Sequence, residues 1–509
     1  MSMTPVLKAL AADRDRVVFR DRRGEVTAGE ALDAVYRFAR ALAAHGHGPG
    51  RSVALLGPVS TWMYLLSQAA ELTGGIQAEI PVSLPAEYRA PLLRECDVAV
   101  VVADPDAVDA SVVREVAGLP GVRLLTLGPC SGGEDLLRDA ADRSPEPFAS
   151  LARDGEPHRI VLTGGTTGRA KPVLRRYRPS HLSGSSWFVR FLGRSEEAAR
   201  VLKTGRLTGL GRALGSATVV TGGTFVTLPE FDPAEVVSVV TGQGITHAFL
   251  SPHELRLLLD DPASEGADLS GLRGITTVTA ATAPALLERA VERFGPIVYP
   301  GYGQTEAGHI AWLLPEDYAS PRPEVLRSCG RPLPGVDVEV RGGGGGVLGP
   351  GERGRVWVRT PLRMDEYWKR PDDTARVLRD GWLDTGDVGF LDARGYLTLL
   401  GRSGEAVEVA GGAVFASEVD TVLQEHPGVR ESATFGVHGD DGTSLHSAVV
   451  TAPGAQVGEG DLLEMLGRLL DPGRVPSTVM FVPRIPLTYA NELCLDTLRS
   501  WHAAPAAAG

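Results

Sequence analysis

The segment Val161-Leu162-Thr163-Gly164-Gly165-Thr166-Thr167-Gly168-Arg169-Ala170-Lys171-Pro172 concentrates the residue types that bind a polyphosphate. Glycines let backbone N–H groups converge on an anion, and threonine hydroxyls add donors. Lys171, three residues past Gly168, supplies a compact positive charge. The spacing is not that of a Walker loop, because no Gly-Lys-Ser/Thr is present and Pro172 follows the lysine. Only Lys8, Lys171, Lys203 and Lys369 are lysines among the 51 basic residues, and the rest are arginine. A lysine placed here in so lysine-poor a chain argues against an ordinary solvated turn.

Other patterns carry less. Gly209-Leu210-Gly211-Arg212-Ala213-Leu214-Gly215 imitates a dinucleotide fingerprint but has one residue too many before its last glycine. No clear strand leads into it, so helix packing is expected. His438-Gly439-Asp440-Asp441 reads as a solvated turn, and Ser183-Gly184-Ser185 lacks the spacing of a nucleophile elbow.

These residues need a scaffold. Thr27-Ala28-Gly29-Glu30 is a capping box, followed by Leu32, Val35, Phe38, Ala39 and Leu42 at helical spacing, with Gly46 and Gly48 as the stop. Val53-Ala54-Leu55-Leu56 and Val98-Ala99-Val100-Val101-Val102 read as short buried strands. That alternation predicts parallel sheet with crossover helices. Gly244–Leu250 is a further strand-like run, and the glycines at 342–346 predict a hairpin tip. Residues 381–409 read as short antiparallel strands with turns at Asp392-Ala393-Arg394-Gly395 and Arg402-Ser403-Gly404-Glu405. A new rhythm follows: helix near 416–426, strands near 431–437 and 445–451, and a helix near 459–471. The fold class is therefore α/β. A large N-terminal domain of αβ-layered sheets with a small barrel-like β part spans 1–400, and a small, mobile α+β domain spans 401–509.

The 509 residues exceed one ordinary core. The net charge of −12 argues against a general nucleic-acid binder, which needs a basic surface. Cys96, Cys130, Cys329 and Cys494 are scattered without a CxxC pair, as in a reduced cytoplasmic protein. No apolar run reaches the roughly 18 residues of a membrane span.

Thr163–Pro172 resembles the phosphate loop of the adenylate-forming (ANL) superfamily, which includes acyl- and aryl-CoA synthetases, free-standing adenylation domains and luciferases. Three more segments resemble that family in its order: Pro300-Gly301-Tyr302-Gly303-Gln304-Thr305-Glu306, Asp380-Gly381-Trp382-Leu383-Asp384-Thr385-Gly386-Asp387, and Gly401-Arg402 through Glu418-Val419-Asp420. The resemblance covers nearly the whole chain. It implies ATP-dependent joining of a small organic acid to AMP with release of pyrophosphate. Thr163, Gly164, Gly165, Thr166, Thr167, Gly168 and Lys171 would hold the β- and γ-phosphates. In the second segment, with Gly303 and Gln304 part of the nucleotide site, Tyr302 would stack on adenine and Thr305 would touch the α-phosphate. Glu306 would ligate Mg²⁺. Asp387 would accept both ribose hydroxyls, with Arg402 beside it. CoA or a carrier protein would be the acceptor.

The chain departs from the family's pattern most sharply in its last motif, with two smaller departures beside it. The family's last motif ends in Gly-Lys, but this chain has Pro486-Leu487-Thr488-Tyr489-Ala490-Asn491-Glu492. A carboxylate at Glu492 repels a phosphate and an anionic substrate, so the position reads as a lost catalytic lysine. Glu408 stands where many members carry lysine, and Gly404 occupies the hinge. Thr204-Gly205-Arg206-Leu207-Thr208-Gly209 lacks the aromatic-His segment of CoA ligases and the aspartate of amino-acid-activating domains. Arg206 and Arg212 are candidates for contact with an acidic substrate, against surface arginine as the plainer expectation. The principal expectation is an acyl- or aryl-CoA synthetase-like ligase. Two alternatives stand beside it: an ATP- and nitrite-dependent enzyme diazotising an arylamine, and a degenerate nucleotide-binding protein without catalysis.

Overall fold

The capping box forms as the sequence predicts. In the computed structural model, Thr27 Oγ1 accepts from the Glu30 N–H at 3.3 Å, and Glu30 Oε2 accepts from the Thr27 N–H at 2.8 Å. They start helix α1 (Ala28–Ala44), which buries Leu32, Val35, Phe38, Ala39 and Leu42. Each such large side chain contributes ~1.5–3 kcal/mol on burial. Gly46, at φ 86°, turns the chain away. The structure describes residues 4–163, 170–178, 187–194, 197–319, 323–409, 412–439, 442–487 and 493–503.

Contacts group the described residues into two compact units. One comprises those of Met1–Thr163, Ala170–Thr277 and Pro361–Arg376, and the other those of Val278–Thr360 and Val377–Gly509.

In the first unit, β1 (Ser52–Leu56), β2 (Ile76–Glu79), β3 (Val98–Ala103), β4 (Pro157–Leu162) and β5 (Pro172–Arg176) pair in the order β5–β4–β2–β1–β3. All are parallel except β5, which runs antiparallel to β4. Helices cover such a sheet on both faces, which explains why β3 reads as continuous Val and Ala. A second sheet carries β6 (Arg200–Thr204), α2 (Gly209–Val220), β7 (Thr224–Leu228), α3 (Pro233–Gln243), β8 (His247–Leu250), α4 (Pro252–Asp260) and β9 (Gly274–Thr277). Its parallel order is β9–β8–β6–β7, so the chain passes from β7 back across β6 to reach β8.

Two expectations change here. A strand, β6, does precede the Gly209–Gly215 run; its terminal Arg200 and its interior Lys203 hid it from an apolar pattern. Helix packing is nevertheless what those glycines serve, since a Cβ at Gly215 would lie 2.9 Å from the Tyr64 ring and 3.1 Å from Phe225. Arg212 is not a surface arginine. It is buried on α2 and ion-paired to Glu79 at the end of β2.

The second unit begins with the hairpin β10 (Val298–Gln304) and β11 (Gly308–Trp312). β12 (Asp337–Arg341) and β13 (Gly354–Arg359) are antiparallel, and glycines 342–346 form the turn that follows β12, with the Gly342 N–H donating to Gly346 O at 3.0 Å. β13 pairs with β14 (Trp382–Leu391), which pairs with β15 (Leu397–Arg402) across the turn at Asp392–Gly395. Then follow α5 (Ala416–Leu423), β16 (Val429–Gly439), β17 (Gly442–Thr451), α6 (Glu459–Leu469) and β18 (Thr478–Phe481). These share a core of Val419, Leu423, Leu445, Val449, Leu462 and Leu466. β16 and β17 run longer than the sequence suggested because their hairpin pairing continues to Gly439 and Gly442.

Candidate nucleotide site

Strand alternation aims Asp387. Along β14 the side chains of Leu383, Thr385 and Asp387 fall on the buried face, as period 2 requires. β15 runs beside it with Arg402 in register with Asp387. The Arg402 Nε lies 3.2 Å from Asp387 Oδ1, and its Nη1 donates to Thr385 O at 2.7 Å. From the end of β10, Gln304 Nε2 donates to Asp387 Oδ2 at 2.6 Å and to Thr385 O at 3.0 Å. The Tyr302 hydroxyl also donates to Asp387 Oδ2. Thr385 Oγ1 accepts from the Asp387 N–H at 3.1 Å and donates to Val356 O.

Four of the residues singled out in the sequence, Tyr302, Gln304, Asp387 and Arg402, therefore meet at one carboxylate. Burial pushes the Asp387 carboxyl up, against the opposing pull of Arg402, Tyr302 and Gln304. Burial, and then the Asp387 charge, push the Tyr302 phenol well up. Charge-assisted hydrogen bonds of this kind are roughly twice as strong as neutral ones. Thr385 was missed as a site residue; the signal was its position two residues before Asp387 on one strand face. Cys329 was missed too. Its thiol is pushed up to about 12 by burial and by the charge of Asp387.

Gly303 is required by packing: an added Cβ would stand 2.4 Å from Gly308 O across the hairpin. This tight pairing ends β10 at Gln304 and puts Thr305 and Glu306, both half-buried, in the turn to β11.

In the first unit, Thr163 follows β4 and Lys171 precedes β5. The Thr163 N–H donates to Lys171 O at 3.0 Å, and the Lys171 N–H donates to Thr163 Oγ1 at 2.9 Å. The Lys171 ammonium stands 5.0 Å from the centre of the Tyr367 ring, an aromatic partner that the sequence reading did not find. Gly164, Gly165, Thr166, Thr167 and Gly168 lie outside the described residues, as do Ser183-Gly184-Ser185, Asn491 and Glu492. At the expected hinge, a Cβ at Gly404 would meet nothing within 4 Å. His438, expected in a turn, is instead a strand residue near the end of β16, in register with Thr443 of β17 and with its Nδ1 2.8 Å from Thr443 Oγ1; Asp440 and Asp441 lie outside the described residues.

Among the described residues no group of three or more His, Cys, Asp and Glu side chains could hold a metal unaided. None of the described helices is long and apolar enough to cross a membrane.

Residues 7–368 match the family of AMP-binding enzymes, and residues 418–491 match the AMP-binding enzyme C-terminal domain. The chain is 30% identical over 508 residues to the medium/long-chain-fatty-acid–CoA ligase FadD8 of Mycobacterium tuberculosis, covering 95% of this chain and 87% of that protein. It is also 30% identical over 471 residues to the fatty acid–acyl-carrier-protein ligase ScoC of Streptomyces coeruleorubidus, covering 91% and 89%. The solved structure of amide bond synthetase McbA from Marinactinospora thermotolerans superposes with a TM-score of 0.88 at 33% identity, covering 98% of this chain and 99% of that one. With a family match over most of its length and these full-length relatives, the chain belongs to the AMP-binding enzymes, the ATP-dependent, adenylate-forming ligases of the ANL superfamily.

Proposed function

We propose that this protein activates a small organic acid as its AMP ester, releases pyrophosphate, and passes the acyl group to CoA or a carrier-protein thiol. The observation that carries the reading is the Asp387 carboxylate, held in place by three donors before any nucleotide arrives. An ionised carboxylate offers about four acceptor positions. Tyr302, Gln304 and Arg402 take three, and a ribose diol needs two. Nucleotide binding therefore displaces the Tyr302 hydroxyl, which frees that ring to lie on adenine.

The remaining roles follow the chemistry of adenylation. Thr163–Thr167 and Lys171 hold the β- and γ-phosphates, Gly303 lets the chain approach closely, and Thr305 touches the α-phosphate. Glu306 holds Mg²⁺, which suits an ion that takes one or two protein carboxylates plus phosphate oxygens. As the acid's oxygen attacks, charge grows on the α-phosphate and must be neutralised by fixed donors. The part beginning near Gly401 is the mobile small domain, which turns about Arg402–Glu405 between the two half-reactions.

A second acceptor chemistry, an amine, is favoured by the likeness to an amide bond synthetase over nearly the whole chain. Diazotisation with nitrite and a non-catalytic role gain no support from the relatives. Pyrophosphate release measured across acids, with CoA, amines or nitrite plus an arylamine, tests the proposal. Release that depends on an organic acid is expected. Release only with nitrite and an arylamine, or none with any substrate, would overturn it.

A further inference from the structure

Lys203 is 6% exposed on β6 and is not used by the chemistry above. Its ammonium donates to Thr204 O and lies 5.2 Å from the centre of the Phe249 ring. Among the described residues no carboxylate stands within ion-pair distance of it. Glu254 is already engaged, accepting from Thr204 Oγ1 at 2.9 Å and from the Ser251 N–H at 2.6 Å.

Two threonines in the same row across the sheet lack partners altogether. Lys203 is in register with Thr227 on β7 and with Phe249 on β8, and Phe249 with Thr276 on β9. In-register residues of parallel strands point to one face, so Thr227, Lys203, Phe249 and Thr276 form a row. Both threonines are 1% exposed, and each Oγ1 is buried without a hydrogen-bond partner. A buried polar group without a partner costs about 1–3 kcal/mol, and an unpaired charge costs more. A pair of such hydroxyls flanking a buried lysine that has a carbonyl but no described carboxylate beside it is not how a purely structural layer is built.

The row also sits where ligands bind. Each member is the penultimate residue of its strand, at the carboxyl end. β6 lies between β7 and β8, so the chain's path reverses across β6, and such reversals open a crevice at the strand ends. Gly211, in the first turn of α2, stands over the lysine, and a Cβ there would be 3.5 Å from Lys203 Cε. Strand spacing makes the row roughly 14 Å long, the scale of a small acid.

We propose that Lys203, Thr227 and Thr276 form a polar subsite selecting acids that carry a second oxygen acceptor, carboxylate or phenolic, besides the carboxyl that is activated. This deepens, and rests on, the acid-activating reading. Burial, which pushes the lysine down to about 8, is relieved when that oxygen accepts its proton donors. Arg206, exposed at the adjacent turn, adds positive charge at the entrance.

Lys203→Met and Thr276→Val are compared with wild type on matched acids: glutarate against valerate, and 4-hydroxybenzoate against benzoate. Wild type is expected to prefer the oxygen-bearing member of at least one pair by about 100-fold in kcat/KM for pyrophosphate release. Lys203→Met should bring that preference within about fivefold while the KM for ATP stays within about twofold. Thr276→Val should weaken it partially, and it stands in if the lysine variant fails to fold. The same pairs are read by thermal shift without ATP, which needs no turnover. A preference that survives in both variants, or equal losses on both members of a pair, overturns the subsite. Absence of acid-dependent pyrophosphate release in wild type instead overturns the proposed function, and the thermal shifts then decide the subsite alone.

Discussion

Asp387, midway along β14, and Lys203, next to the end of β6, are both buried charges on strands, and their surroundings are opposite. Asp387 accepts from Tyr302, Gln304 and Arg402, and Thr385 binds its backbone and two of those partners. Lys203 reaches one backbone carbonyl and an aromatic face, between two threonines whose hydroxyls bind nothing. A satisfied network fixes geometry in advance, so on the proposed role of Asp387 a nucleotide would find its acceptor already oriented. An unsatisfied one stores free energy that a ligand releases on binding. The first suits a substrate part common to every turnover, and the second suits discrimination among acids.

Arg212 offers the sharpest way to break this contrast, because it is a buried cation near Lys203 that does have a partner. Arg212→Met leaves Glu79 without its close ion pair, and removing one member of a buried pair costs about 3–5 kcal/mol. Arg159, 3.8 Å from Glu79, compensates in part, so denaturant unfolding should show a loss at the lower end of that range.

Lys203→Met should do the reverse and stabilise the protein. The folded-state value of about 8, against an ordinary 10.5, penalises the charged form in the fold. That penalty, about 3 kcal/mol, is fully present below pH 8 and fades as the pH rises toward 10.5. The variant's gain in melting temperature should shrink over the same window. A destabilised variant at pH 7 would mean that the lysine is a paired structural residue after all.

Asp387→Ala strands three donors and, on the proposed role, removes the acceptor for the ribose hydroxyls. Calorimetry should show ATP binding weakened by about 100-fold, near 2.7 kcal/mol. Unchanged affinity would remove Asp387 from the site. If Glu492 marks a lost catalytic position, as proposed from its charge, Glu492→Ala should alter turnover by less than about tenfold. A collapse as deep as that of Asp387→Ala would show that the glutamate has been recruited. The smallest effect is expected from Tyr302→Phe. If the hydroxyl must leave Asp387 before a diol binds, ATP affinity should stay within about threefold of wild type or improve. A 30-fold loss would mean that the phenol itself contacts the nucleotide.

Much of this was legible in the chain because the relevant spacings are local. The Thr27–Glu30 capping box, the Val-Ala run of β3 and the Asp392–Gly395 turn each depend on residues within one element or turn. Thr385 and Asp387 fall two apart on β14, which is enough to place them on one face. The strand β6 was not legible, because Lys203 interrupts the apolar pattern that marks a buried strand. For the same reason its lysine passed as one more polar residue.

What the sequence determined alone was residue chemistry and local period: which residue types stand together in one segment, which face of a strand or helix they share, and where many elements start and stop. Tertiary structure decided the pairings. Tyr302 and Asp387 are 85 residues apart, and Arg212 and Glu79 are 133 apart. No short-range spacing encodes such a separation. The row from Thr227 through Lys203 to Thr276 exists because crossover helices set the register of four parallel strands. That register depends on how α2, α3 and α4 pack against the sheet, and packing is a property of the assembled core.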